Sequence, residues 1–137
     1  MTGKQKILLM AVLIGSLAAC FSGGVRNQSE ELKEAERLNN EVVELYQKGR
    51  YDEAIPFAQR VLEIRDKALG PDHPDVANSL NNLATLYQAM GDYTAAEPLY
   101  QRSLAIRKKA LGPDHPDVAN SLNNLATLYQ AMGNFAA

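Results

Sequence analysis

The amino-acid sequence predicts an all-α fold, an α-solenoid of tandem antiparallel helix hairpins. Three observations support this prediction: a long internal repeat, apolar residues at helical spacing, and glycine or proline at the expected helix ends. No stretch shows the alternation of apolar and polar residues that is typical of a β-strand. With 46% apolar and 22% charged residues among 137, the composition is that of a globular protein, not of a disordered or coiled-coil chain.

The first 19 residues have the pattern of a secretory signal peptide. Lys4 and Lys6 precede an unbroken apolar run, residues 7–14, which continues into small residues. This run is shorter than the roughly 20 apolar residues that span a bilayer. We therefore expect residues 1–19 to be a signal peptide that is removed from the mature protein.

The only cysteine of the chain directly follows this leader. The segment Leu17-Ala18-Ala19-Cys20 resembles the bacterial lipobox, in which the cysteine is lipidated and becomes the first mature residue. A single cysteine can form no internal disulfide, and lipidation gives Cys20 another role. The alternative is an ordinary signal peptide with a cysteine nearby by chance.

Residues 20–30 are predicted to form the lipidated Cys20 and a flexible tether, because they are small and polar and lack helical periodicity. The lipobox resemblance implies a bacterial cell-envelope protein that is attached to the membrane through its lipid. Phe21 stands where an aspartate would alter sorting, which favours the outer membrane if the organism is Gram-negative.

A repeat of 42 residues sets the architecture of the remaining chain. Residues 67–91 read KALGPDHPDVANSLNNLATLYQAMG, and residues 109–133 repeat this segment without a change. A more divergent copy comes earlier at the same offset. The predicted array, residues 31–137, therefore divides into two units, 31–70 and 71–112, and a partial third unit, 113–137.

Each unit is predicted to contain two helices, which the second unit shows most clearly. The apolar face of its first helix carries Val76, Leu80, Leu83, Ala84 and Tyr87. The apolar face of its second helix carries Ala96, Leu99, Tyr100, Leu104 and Ile106. Gly91 and Asp92 interrupt the pattern between them, so we expect a tight turn at this point.

The ends of the second helix have their own signals. Thr94 and Glu97 predict a capping box, and Pro98 is expected near the first turn, where proline costs least. Gly112, followed by a proline, is predicted to end the helix. Pro116 then suits the first position of the next helix.

The chain resembles the tetratricopeptide repeat family in the order of these residues: Leu80, Leu83-Ala84, Tyr87, Gly91, Tyr93, Ala96, Tyr100. In that family, small residues let the two helices of a hairpin cross closely. The usual repeat has about 34 residues, and the longer unit here resembles the 42-residue variant of kinesin light chains and many bacterial proteins. HEAT-type arrays share this period range but lack the Gly-x-Tyr-x-x-Ala signature. The resemblance implies a right-handed superhelix over residues 31–137.

The resemblance also implies a concave groove, lined by the first helices of successive units, that binds a protein or peptide. A polar stripe with spacings of 3, 4 and 3 residues marks this face. The candidate groove residues are Asn78, Asn81, Thr85 and Gln88, their copies Asn120, Asn123, Thr127 and Gln130, and Asn39 in the first unit. Asparagine suits a peptide groove because its amide both donates and accepts hydrogen bonds.

Two further observations bear on the prediction of a peptide groove. The first unit has Val43 and Tyr46 at stripe positions, so that end is expected to be more apolar. A polar stripe is also what any solvated helix face shows. The adjacent Asn82 and Asn124 are alternative candidates for structural hydrogen bonds between hairpins.

The two histidines do not predict a metal site. His73 and His115 lie in identical PDHPD loops beside aspartates, a full repeat apart. A metal site would need several of these side chains to converge on one ion. The sequence favours helix capping, since aspartate and the residue before proline stand at a helix start.

The remaining sequence predicts a non-catalytic scaffold without cofactor or metal. The chain contains no glycine-rich phosphate loop, and its formal charge of −2, without a basic patch, argues against nucleic-acid binding. We therefore predict a lipid-anchored adaptor that binds a protein or peptide partner. The alternatives are a structural protein that self-associates through its C-terminal end near Phe135, and a fragment of a longer tetratricopeptide protein.

Overall fold

The computed structural model describes residues 27–133, and the predicted all-α hairpin array is confirmed. The five helices of this part are α1 (27–47), α2 (Tyr51–Leu69), α3 (Pro74–Ala89), α4 (Tyr93–Leu111) and α5 (Pro116–Ala131). None of the helices between residues 27 and 133 has the length and apolar character needed to cross a membrane. The predicted signal peptide, the lipid site at Cys20 and Phe135 lie outside the described residues.

Helix α1 already includes residues 27–30, which the sequence-based boundary assigned to the tether. Gln28 Nε2 donates a hydrogen bond of 2.7 Å to the carbonyl oxygen of Ala68 near the end of α2. One turn later, Lys33 Nζ lies 3.3 Å from Glu30 Oε1. This first turn is held by polar contacts, so apolar periodicity could not reveal it.

The turns after α3 and α4 each contain a glycine in the left-handed backbone region. Gly91 has φ 80° and Gly112 has φ 87°. Residues other than glycine rarely adopt this backbone conformation, because their Cβ atom then crowds the backbone. The Gly112 amide donates to the Lys108 carbonyl oxygen at 3.1 Å, which confirms the predicted end of α4.

The residue before proline caps the start of α3 and of α5, as expected. His73 Nδ1 accepts a hydrogen bond of 3.1 Å from the Asp75 amide, and His115 Nδ1 accepts one of 3.1 Å from the Asp117 amide. Pro116 lies in the first turn of α5, as predicted. No group of three potential metal-ligating side chains converges within residues 27–133.

The capping box expected at Thr94 is wrong. Helix α4 begins at Tyr93 with Asp92 as its N-cap, and Asp92 Oδ1 accepts from the Ala95 amide at 3.1 Å. Aspartate caps as well as threonine does, and it stands next to the glycine turn. Thr94 therefore lies inside the helix, and Pro98 falls in the second turn rather than near the first.

The core forms where each second helix packs between two first helices. One cluster joins α1, α2 and α3 through Val42, Leu45, Ala54, Ala58, Leu83 and Leu86. Another joins α3, α4 and α5 through Ala84, Ala96, Tyr100, Leu125 and Leu128. Ala54 and Ala96 are fully buried, because a methyl side chain lets the helices approach closely. These contacts fix the relative positions of α1, α3 and α5.

Candidate functional site

Two clefts lie on the face formed by α1, α3 and α5. Each has a volume of about 370 Å³, and Tyr46 and Thr85 line both. The first cleft, on the α1 side, is lined by Val42, Val43, Tyr46, Gln47, Asn82, Thr85 and Leu86. The second cleft, on the α5 side, is lined by Tyr46, Thr85, Gln88, Ala89, Tyr93, Tyr100, Asn124, Thr127 and Ala131. The clefts are therefore adjacent, with Tyr46 and Thr85 between them, and we call the pair the groove.

The α1 side of the groove exposes apolar surface. Val43 is 44% exposed and Tyr46 is 41% exposed, whereas Leu86 behind them is buried. The Tyr46 ring lies 5.2 Å from the Tyr51 ring at an interplanar angle of 54°, a tilted aromatic contact that helps to orient it. The expectation that this end of the groove is more apolar is confirmed.

The α5 side contains a buried tyrosine hydroxyl with two polar neighbours. Tyr100 donates a hydrogen bond of 2.8 Å to Gln88 Oε1, and its hydroxyl lies 3.0 Å from Thr85 Oγ1. Burial raises the pKa of the Tyr100 phenol, the contact with Thr85 lowers this pKa, and Tyr46 adds a small rise. The phenol therefore remains neutral and links the predicted groove residues Thr85 and Gln88 to α4.

Asparagine pairs connect successive first helices. Asn82 Nδ2 donates to Asn39 Oδ1 at 3.3 Å, which joins α3 to α1. Asn124 Nδ2 donates to Asn81 Oδ1 at 2.7 Å, which joins α5 to α3 in the same way. The structural interpretation of Asn82 and Asn124 is thus confirmed. Asn39 and Asn81, predicted to bind a peptide, accept these bonds.

Asn78 contacts α4 rather than the groove. Its Oδ1 accepts a hydrogen bond of 2.9 Å from Arg107, and neither cleft includes Asn78. Arg107 is 8% exposed and also donates to Ser121 Oγ at 2.8 Å. Asn78 is exposed, as the stripe predicts, but its side chain bonds to α4 and does not line a cleft.

In the third unit, only one of the four predicted groove residues lines a cleft. Thr127 lines the second cleft, and its hydroxyl donates to the Asn123 carbonyl oxygen at 2.9 Å. Asn120, Asn123 and Gln130 are exposed and line neither cleft. Of the nine predicted residues, the groove therefore brings together Thr85, Gln88 and Thr127.

The sequence did not assign several residues that line the groove. Tyr93 and Tyr100 come from α4, and their apolar periodicity identified them only as candidates for packing. Tyr46 and Val43 carried a usable signal, because large apolar residues at positions of a polar stripe indicate exposed apolar surface.

The side chains that line the two clefts are uncharged, since they include no Asp, Glu, Lys or Arg. They offer amides, hydroxyls and aromatic rings, and these groups bind backbone amides and apolar side chains. They provide no paired acid and base for bond cleavage. The groove is therefore suited to recognition of an extended, uncharged segment.

Comparison with known proteins gives one family and similar folds. The sequence pattern described as "Tetratricopeptide repeat" matches residues 45–109 and residues 75–137. The crystal structure of BtubC (BKLC) from P. vanneervenii is 30% identical, with a TM-score of 0.68 over 74% of this chain and 41% of that chain. A putative kinesin light chain from Podosopora anserina, with nearly identical TPR-like repeats, is also 30% identical. Its TM-score is 0.63 over 78% of this chain and 49% of that one. The present chain thus spans less than half the length of each.

Proposed function

The chain belongs to the tetratricopeptide repeat family, and from this we propose that it is a non-catalytic scaffold whose groove holds an extended segment of a protein partner. Repeats of this family generally bind protein partners. The observation that carries the proposal is that two uncharged clefts lie side by side on this face and share Tyr46 and Thr85. One apolar or aromatic side chain of the partner would lie against Val43 and Tyr46. The partner backbone would then bond with Gln88 and Thr127.

The size of the groove limits the affinity. A few neutral hydrogen bonds contribute about 0.5–1.5 kcal/mol each, and one anchored side chain adds about 1.5–3 kcal/mol. These contributions must also offset the ordering of the bound segment. The expected dissociation constant is therefore roughly micromolar.

We also propose that a lipid on Cys20 holds this scaffold at the bacterial envelope, on the outer membrane if the cell is Gram-negative. The support for this proposal is the leader sequence and the lipobox-like Leu17-Ala18-Ala19-Cys20. Two or more acyl chains hold a protein firmly, whereas one chain holds it marginally. Metabolic labelling with a fatty-acid analogue tests this. We expect incorporation into the wild-type chain, and incorporation that survives Cys20→Ala would reject the proposal.

A pull-down from envelope extract tests the groove, with the full chain in detergent as bait. We expect a protein that is retained by the wild-type chain and lost with Tyr46→Ala. Met90→Ala is the matched control, because Met90 is 50% exposed but lines neither cleft. Circular dichroism should show equal helicity in all three chains. Equal retention by wild type and Tyr46→Ala would reject the groove as the binding surface.

A further inference from the structure

A row of side chains along α1 contains one charge and leads into the groove. Its residues follow at spacings of four, four, three and four, so they lie on one side of the helix: Leu32, Glu36, Asn40, Val43 and Gln47. Val43 and Gln47 line the first cleft. Glu36 lies about two helical turns before Val43, so its carboxylate is the charged group of this row beside the apolar end of the groove.

Glu36 has no ion-pair partner within residues 27–133. Other acids of α1 do form ion pairs, which are Glu30 with Lys33, Glu34 with Arg60, and Glu44 with Lys48. The side chain of Glu36 is exposed and borders a hollow of about 390 Å³ that Leu32 and Lys33 also line. Because Lys33 is paired with Glu30, the carboxylate of Glu36 is the group at this hollow that is free to bind a cation.

The charge at this position is particular to the first unit. The equivalent residues of the later units, Asn78 and Asn120, are neutral. In the second unit, Asn78 accepts a hydrogen bond from Arg107, whereas the equivalent arginine of the first unit, Arg65, donates to Ser79. The position therefore has a partner inside the fold in the second unit, but its carboxylate in the first unit faces solvent.

We propose that Glu36 selects a partner segment with a lysine or arginine about three residues from the side chain that lies against Val43 and Tyr46. This inference rests on the proposed function of the groove, and it adds the charge of the partner. Seven residues of α1 advance about 10.5 Å, and an extended segment covers this distance in about three residues. The methylene groups of the cation lie against Leu32 while its charge meets the carboxylate, as is common for long cationic side chains.

The charge of α1 as a whole acts in the same direction. Residues 27–47 include six acidic and two basic side chains, so the field along this helix attracts a cationic segment and repels an acidic one. The two clefts, in contrast, are lined by uncharged side chains. The clefts therefore accept the neutral residues of the segment, and Glu36 decides which charge is tolerated beside them.

Random short peptides displayed on phage are the first probe. They are selected on the full chain in detergent, as wild type, Glu36→Lys, Glu41→Lys and Tyr46→Ala. Glu41→Lys is the matched control, because Glu41 is also an exposed acid of α1 but lies outside the row. We expect wild type and Glu41→Lys to retain peptides with a lysine or arginine about three residues from an aromatic or large apolar residue. Glu36→Lys should retain peptides with an acid at that place.

The outcomes of this selection separate the two proposals. Peptides that are lost with Tyr46→Ala but are the same for wild type and Glu36→Lys would overturn the role of Glu36 and leave the groove as the binding surface. A selection that Tyr46→Ala does not change would reject the groove itself, and the role of Glu36 with it.

One selected peptide, synthesised with Lys, Gln or Glu at the charged place and labelled for fluorescence anisotropy, gives the magnitude. We expect the Lys peptide to bind about three- to fivefold more tightly than the Gln peptide, as for an exposed ion pair, and the Glu peptide to bind least tightly. Glu36→Gln or roughly 1 M salt should remove these differences. Equal affinities for wild type would overturn the proposal. Glu36→Gln should leave the Tm unchanged, and a lower Tm would show a structural role instead.

Discussion

The Arg107 guanidinium donates a hydrogen bond of 2.8 Å to Ser121 Oγ, and both side chains are buried. The other acceptors of this guanidinium are the Asp117 carbonyl oxygen at 3.3 Å and Asn78 Oδ1 at 2.9 Å. A buried positive charge is thus held by neutral oxygens from two helices. The guanidinium and the Ser121 hydroxyl depend on each other, because a buried polar atom without a partner is costly.

Arg107→Ala should therefore destabilise the fold by about 2–3 kcal/mol, since hydrogen bonds to a charged group are worth about 1.5–3 kcal/mol and Ser121 loses its partner. Urea denaturation followed by circular dichroism gives the free energy of unfolding. Arg65→Ala is the matched control, because Arg65 is only half-buried and, within residues 27–133, donates only to Ser79. Equal losses for the two variants would contradict the explanation.

Leu80→Ala and Leu122→Ala remove the same atoms from the same sequence context. Leu80 is fully buried, so its truncation should cost about 2–5 kcal/mol, as is usual for core leucines. Leu122 is 48% exposed, and its truncation should cost less than about 1 kcal/mol. Thermal unfolding of the two variants compares them directly. Similar losses of stability would show that Leu122 is covered in solution.

Asn81→Ala and Asn123→Ala should also differ, although both positions were predicted to bind a peptide. Asn81 accepts the bond from Asn124 that joins α5 to α3, so its loss should cost about 1 kcal/mol. The side chain of Asn123 is exposed, and its loss should change stability by less than about 0.5 kcal/mol. Chemical denaturation measures both. A stability loss in Asn123→Ala as large as that in Asn81→Ala would contradict this.

His115 should be replaceable by another capping residue but not by alanine. His115→Ala removes the acceptor for the Asp117 amide and should cost about 0.5–2 kcal/mol, the usual range for loss of an N-cap. His115→Asn keeps an acceptor and should restore most of this loss. Thermal unfolding of the variants tests the pair. If asparagine failed to restore stability, the imidazole would have a role other than capping.

The fold was predictable because the same helix and turn signals recur in successive units of the sequence. The spacing of Leu80, Leu83 and Ala84 identified one buried face, and the glycine before each second helix identified the turns. The start of α4 was misplaced, because Asp92 and Thr94 are both good capping residues. Local sequence cannot decide between two adequate caps, whereas the packing of Tyr93 in the hairpin can.

The candidate site was only partly predictable, for a different reason. Helical periodicity places Asn78, Thr85 and Gln88 on one stripe, but it does not show where the next helix crosses that stripe. Tyr100 was expected only to fill the core, yet its hydroxyl reaches Thr85 and Gln88. Whether a residue of the stripe lines the groove or contacts α4 therefore depends on the path of α4. Local sequence patterns do not predict that path.

The identity of residues 67–91 and 109–133 leaves α2 with two chemically equal partners, α3 and α5. A slipped arrangement, in which α5 packs on α2 and the intervening 42 residues loop out, would use the same interfacial side chains. That arrangement is disfavoured by the entropy of closing a longer loop and by the loss of the α3–α4 interface. The choice of α3 over α5 as the partner of α2 is therefore not set by the side chains that α2 contacts. It is set by the length of the connecting chain and by the other interfaces of the array.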